Sequence, residues 1–91
     1  MFLAKVVGNV VSTQKDPKFV GTKLLIVKPI DQNGNTTGDS IVAIDTVGAG
    51  ANETVIVVTG SGARYVDSGE NIIPSDASII GIVDSVEWNE N

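Results

Sequence analysis

The sequence predicts an all-β protein, folded as one small closed barrel of about five strands with one short helix. Its 24 Val and Ile residues, against three Leu, favour strands, because β-branched side chains pack well on a sheet and lose rotamer freedom in a helix. Ten Gly residues interrupt the apolar stretches at short intervals. A length of 91 residues allows a single domain, spanning residues 1–91.

The first two predicted strands already raise the question of what covers the barrel. Strand one spans about residues 2–13, with Gly8 as a bend or bulge. Strand two spans about residues 23–30, and its centre, residues 24–27, is apolar on both faces. A strand on the outside of a small barrel is normally polar on its outer face. We therefore expect a cover, either a neighbouring subunit or a loop or helix of the same chain.

The third and fourth strands follow a turn. Residues 31–35 contain Asn33-Gly34, and Asn-Gly between two strand-like runs is the strongest short-range hairpin signal. The third strand is predicted at about residues 40–45 and the fourth at residues 54–59.

The C-terminal part completes the barrel. Pro74, with Asp76 two residues on, is typical of the first turn of a helix, so residues 74–77 are predicted to form one short helical turn. The last strand is predicted at about residues 78–88. This strand would place on one face the apolar side chains of Ile80, Ile82, Val86 and Trp88. Five strands with compact turns predict a barrel of the OB-like kind.

Composition excludes most chemistry. The chain has no Cys and no His, so it has no Ser-His-Asp triad, no thiol nucleophile and no imidazole or thiolate metal ligand. Six Lys and Arg against 11 Asp and Glu give a net charge of −5, which disfavours nucleic acid and anionic membranes as partners. We expect no enzyme activity, no cofactor and no metal, a cytoplasmic location, and self-association that stabilises so small a domain.

Two Gly-rich loops deserve comparison with nucleotide-binding motifs. Gly48-Ala49-Gly50 follows a strand, but Glu53 stands where a dinucleotide fingerprint needs its third Gly, and a strand rather than a helix follows. Residues 60–64 form a second such loop, whose backbone N–H groups and Arg64 are able to hold an anion. No Gly-Lys-Ser/Thr follows, so a tight connection with Arg64 paired to a carboxylate is the favoured interpretation.

Two other functions remain as alternatives at this point. One is an OB-type binding module for single-stranded nucleic acid or a small ligand, which the acidic charge and four scattered aromatic residues oppose. The other is a small enzyme with paired carboxylates, for which the spacing of the Asp and Glu residues supplies no facing pair.

Short stretches spread over nearly the full length carry a resemblance to a known family. They are residues 4–15, 24–27 and 45–50, Glu53 with Val55, residues 60–64, and residues 74–77 running into 80–84. In this order and spacing they resemble the EutN/CcmL family, the vertex proteins of bacterial microcompartment shells. Family members usually carry a second hydroxyl residue where this chain has Gly62.

The resemblance implies an OB-like barrel that assembles as a homopentamer and closes the vertices of a polyhedral shell without catalysis. It implies hexameric and trimeric shell proteins of the same microcompartment as further partners. Because small residues allow the backbones of two chains to approach closely, we expect Gly48, Ala49 and Gly50 to contact neighbouring shell proteins. A second set is expected near the subunit interface or the central opening, namely Gly60, Ser61, Gly62, Ala63 and Arg64.

Overall fold

Five strands form the barrel in the computed structural model, which describes residues 1–11, 23–60 and 76–87. They are β1 (Phe2–Asn9), β2 (Lys23–Pro29), β3 (Ile41–Asp45), β4 (Thr54–Thr59) and β5 (Ala77–Val83). The sheet closes in the order β1-β2-β3-β5-β4, with β4 paired back to β1. Only β3 and β5 run parallel among these pairs. The predicted all-β, OB-like closed barrel is confirmed.

The core follows from period-two alternation along the strands. In β4, Val55 and Val57 are fully buried while Ile56 and Val58 are half-buried on the outer face. The buried residues of β1 and β2 also alternate, whereas three successive residues are buried in β3 (43–45) and in β5 (77–79). The buried cluster consists of Ala4, Val6, Leu25, Val27, Ala43, Ala49, Val55, Val57, Ala77 and Ile79.

The turn predicted at residues 31–35 is present between β2 and β3. The Asp31 carboxylate accepts hydrogen bonds from the backbone N–H groups of Asn33 (2.8 Å) and Asn35 (3.0 Å). Gly34 has a φ of 82°, a left-handed conformation that glycine adopts without a steric cost. The Asn-Gly pair was thus a correct hairpin signal.

Two β-bulges bend the barrel wall. In β1 the register shifts between Val6 and Gly8, so Val7 has no partner on β2. The expectation of a bulge at Gly8 is confirmed, and a Cβ there would lie 3.4 Å from Ile26 Cδ1. In β5 the pairing with β4 passes from Ile79 to Gly81, which leaves Ile80 as the extra residue. An extra residue of this kind re-aims its side chain and breaks the alternation that follows it.

Four local predictions need correction. β1 ends at Asn9, and β5 ends at Val83. Val86 therefore lies beyond the strand, and the bulge at Ile80 breaks the single apolar face expected for β5. The helical turn expected at residues 74–77 is not formed at its described end, because Asp76 lies in a bend and Ala77 already belongs to β5. Of the positions that these predictions cover, Ser12, Thr13, Pro74, Ser75 and Trp88 lie outside the described ranges.

The cover on the outer face of β2 is divided. Leu24 pairs with Ile44, which is only 1% exposed within this single chain, so the chain covers that part of the face itself. Ile26 pairs with Val42, which is 50% exposed. Both alternatives raised by the sequence therefore stay relevant, one at each position. Among the described residues, no helix is long and apolar enough to cross a membrane.

Candidate functional site

Asp45 organises the Gly-rich loop that follows β3. Its carboxylate accepts three backbone hydrogen bonds, from Val47 (3.0 Å), Gly48 (3.1 Å) and Ala49 (2.8 Å). The residue is 8% exposed. A short acidic side chain that binds the N–H groups just after it closes a turn locally. One side chain therefore sets the path of the backbone from residue 46 to residue 49.

The same loop is tied to two other strands. Lys23 on β2 donates a hydrogen bond from Nζ to the carbonyl oxygen of Ala49 (2.9 Å). Thr46 donates from Oγ1 to the carbonyl oxygen of Ile79 on β5 (3.0 Å). Gly48 has a φ of 83°, which strongly favours glycine. The hydrogen bonds made by Lys23 and Thr46 therefore hold the loop against the barrel wall.

The second half of the loop is closed by Glu53. The backbone N–H of Gly50 donates to the Glu53 carboxylate, and the N–H of Glu53 donates back to the Gly50 carbonyl oxygen. A Cβ at position 50 would lie 3.1 Å from Glu53 Oε1, so a side chain there would press against the Glu53 carboxylate. The N–H of Asn52 donates to Val6 O (2.9 Å), and the N–H of Val6 donates to Glu53 O (3.0 Å). The loop is thereby fastened along β1.

Part of this rigid loop faces outward. Gly48 and Ala51 are exposed, and Val47 is 40% exposed. Between the loop and β1 lies a shallow pocket of about 310 Å³, with Asn9 and Asn52 among its lining residues. Because its side chains are small and its backbone is held by hydrogen bonds, this surface has a fixed shape against which another protein is able to pack closely.

The residues predicted to make contacts have different fates. Gly48 and Gly50 lie in the loop that these hydrogen bonds hold against the barrel. Ala49, by contrast, is 0% exposed and belongs to the core, so its side chain cannot contact a neighbouring protein. Gly60 follows β4 with a φ of 69°, and its N–H donates to Asp76 O (3.0 Å). The remaining predicted contact residues lie outside the described ranges, namely Ser61, Gly62, Ala63 and Arg64.

Sequence reasoning missed a cationic pair on the outer face. The register of β1 and β2 places Lys5 directly opposite Lys28, and both residues are half-buried. Val7, the bulged residue two positions along, is 47% exposed. The two lysines lie 23 positions apart in the sequence, so only the register of the strands reveals that they are paired.

Comparison with known proteins finds one family and several relatives that match most of this chain. The family described as "Ethanolamine utilisation protein EutN/carboxysome", EutN/CcmL, matches residues 1–84. The shell vertex protein PduN of Salmonella typhimurium is 47% identical, over 94% of this chain and 98% of that protein. The carboxysome shell vertex protein CcmL of Synechocystis is 49% identical, over 94% of this chain and 85% of that protein.

Solved structures match with similar coverage. The pentameric microcompartment shell protein GrpN of Rhodospirillum rubrum has a TM-score of 0.84 and 47% identity, covering 98% of this chain and all of that one. The pentameric shell protein MSM0273 from the RMM microcompartment has a TM-score of 0.78 and 32% identity, covering both chains completely. The barrel described above is thus similar over nearly its whole length to subunits of pentameric shell proteins.

Proposed function

The chain belongs to the EutN/CcmL family, and we propose that five copies of it form a ring that closes the vertices of a bacterial microcompartment shell in the cytoplasm. The observation that carries this proposal is the near full-length match to pentameric shell subunits. The relatives are named as shell vertex proteins and not as enzymes. The role of this chain is therefore structural. None of these relatives is named as a nucleic-acid-binding protein, so that alternative has no support from them.

Shell geometry explains why such a ring is needed. A flat layer of hexagonal tiles cannot close into a polyhedron, and five-fold corners supply the missing curvature. A ring of identical subunits forms when one surface of each copy binds a different surface of the next and the rotation between copies closes. The exposed apolar residues Val7 and Val42 on the barrel wall support this arrangement, because a neighbouring copy would cover them.

Contacts with hexameric and trimeric shell proteins form the finer part of the proposal. We assign them to the loop at residues 46–53, where Gly48 and Ala51 are exposed. The support is mechanical: backbone N–H groups of the loop donate hydrogen bonds to the carboxylates of Asp45 and Glu53, and Lys23 donates one to the loop, so the loop loses little conformational freedom on binding. We assign the stretch at residues 60–64 to the neighbourhood of the subunit interface or central opening, because its small residues allow two chains to approach closely.

Native mass spectrometry of the purified chain tests the ring. We expect a single assembly with the mass of five copies at micromolar concentration. A stable, folded single copy under the same conditions would contradict the proposal.

The loop assignment has its own test in cells that produce the complete shell. Ala51 is exposed, so Ala51→Trp should leave the five-copy ring intact while blocking shell closure, visible as open or elongated shells by electron microscopy. Asp39→Trp, at an exposed site in the hairpin loop, is the matched control and should leave closure unchanged. Normal shells with Ala51→Trp would show that the loop makes no such contact.

A further inference from the structure

Lys5 and Lys28 form an unusual pair for this protein. They lie directly opposite each other across β1 and β2, and like charges in that arrangement destabilise a sheet. Neither side chain has a hydrogen bond or ion pair among the described residues. The chain as a whole carries a net charge of −5, so two adjoining cations run against its general composition. A carboxylate from outside the chain would remove the repulsion between them.

The neighbourhood of the pair has the make-up of a protein interface. Val7 is held outward by the bulge in β1 and is 47% exposed, and Ile26 is half-buried on the adjoining strand. Interfaces combine an apolar centre with charged groups near the edge. We call the outer face formed by Lys5, Val7, Ile26 and Lys28 the seam surface.

A closed ring needs a second, different surface on each copy. The end of β5 and the residues after it provide one with the opposite charge. Beyond the bulge at Ile80, Ile82 and Val86 are 38% and 40% exposed, and Asp84 and Glu87 are exposed between and beyond them. We call this stretch the β5 surface. β5 pairs with β3 and β4 and with neither strand of the seam.

We propose that the seam surface of one copy binds the β5 surface of the next, with the Asp84 carboxylate set against the ammonium groups of Lys5 and Lys28. This inference rests on the proposed ring and names the contact that builds it. Asp84 fits better than Asp39, because Asp84 lies among exposed apolar side chains that match Val7, whereas Asp39 lies in a hairpin loop of polar residues and glycine.

Charge reversal at Lys28 gives a test with two opposite signs. Lys28→Glu places a carboxylate beside Lys5, which should preserve or raise the melting temperature of the dilute, separated chain, because opposite charges across a strand pair stabilise it. The same change should raise the protein concentration needed for half-maximal ring assembly by about tenfold or more, since it sets two carboxylates against each other between copies. If Lys28 instead only stabilises its own chain, Lys28→Glu should lower the melting temperature of the separated chain as it weakens ring assembly.

The complementary variant completes the design. Asp84→Lys alone should weaken the ring by a similar factor, and the double variant Lys28→Glu with Asp84→Lys, whose net charge equals that of the original chain, should restore at least part of it. Asp39→Lys makes the same charge change elsewhere and should leave assembly unchanged. If the unaltered chain forms no ring, the proposed function fails. If it forms a ring that Lys28→Glu and Asp84→Lys leave unaltered, the proposed contact alone fails.

Discussion

Replacing Asp45 tests how strongly the loop after β3 depends on one carboxylate. Asp45→Ala removes the acceptor of three backbone hydrogen bonds, those from Val47, Gly48 and Ala49. The N–H groups of Val47 and Gly48 belong to exposed residues, so water replaces their lost partner. Ala49 is 0% exposed, so its N–H loses its acceptor at a buried position.

The magnitude follows from these three environments. Leaving a buried donor unsatisfied costs about 1–3 kcal/mol, and each of the two part-buried bonds contributes about 1 kcal/mol, because water takes the place of the lost carboxylate. The free energy of unfolding should therefore fall by about 3–5 kcal/mol, and the melting temperature by more than about 12 °C for a domain of this size. The free energy of unfolding of Asp45→Asn should lie between those of the original chain and Asp45→Ala. The carbonyl oxygen of Asn is still able to accept hydrogen bonds, while its amide NH₂ opposes the N–H of Ala49.

Urea unfolding at one fixed protein concentration measures the effect, since assembly makes apparent stability depend on concentration. Hydrogen exchange at the amides of residues 47–49 adds a local measurement and should become faster in Asp45→Ala. Asp39→Ala, which removes an exposed carboxylate from the hairpin loop, should change stability by no more than about 0.5 kcal/mol. If Asp45→Ala behaves like this control, the hydrogen bonds to Asp45 do not stabilise the barrel.

Two further substitutions examine the same loop. Gly48→Ala places a side chain on a backbone with a φ of 83° and should cost about 1–2 kcal/mol in thermal unfolding; no loss would mean that the backbone shifts to another conformation. Ala49→Trp inserts a large ring at a position with no exposure and should abolish the folded circular dichroism spectrum, whereas Ala51→Trp two residues later should keep it; a folded Ala49→Trp chain would show that the core has room at this position.

The strands were predictable where apolar alternation and pairing end at the same residue. β4 was predicted with its observed bounds, Thr54–Thr59, because turn residues flank it on both sides. β1 was extended too far, since the apolar pattern continues through Val10 and Val11 beyond the end of the strand. The N–H of Val10 still donates to Leu24 O (2.9 Å), but Val11 is 87% exposed. The bulge at Ile80 has no Gly or Pro at the position itself, and only the register with β4 reveals it.

Residues 48–50 are small for three different structural reasons, which the sequence alone did not distinguish. The sequence singled out residues 48–50 as small. In the structure, Gly48 is small because of its backbone angle, Ala49 because it is buried, and Gly50 because Glu53 lies against it. The acceptor role of Asp45 has a local signal, an acidic residue followed directly by a Gly-rich loop. The pairing of Lys5 with Lys28 has none, because it requires the register of two strands.

The charge distribution links the barrel to its assembly. Identical acidic chains repel one another at long range, and this repulsion opposes a ring unless positive groups lie where the copies meet. Of the three lysines in the described residues, Lys23 is engaged with the carbonyl oxygen of Ala49, while Lys5 and Lys28 remain on the outer wall. Salt at about 0.15 M screens charges farther apart than about 8 Å, whereas a pair in close, partly buried contact is screened much less. The seam surface therefore places its two cations where a bound neighbour would approach them closely. We expect physiological salt to favour the ring, because salt weakens the general repulsion more than this close contact.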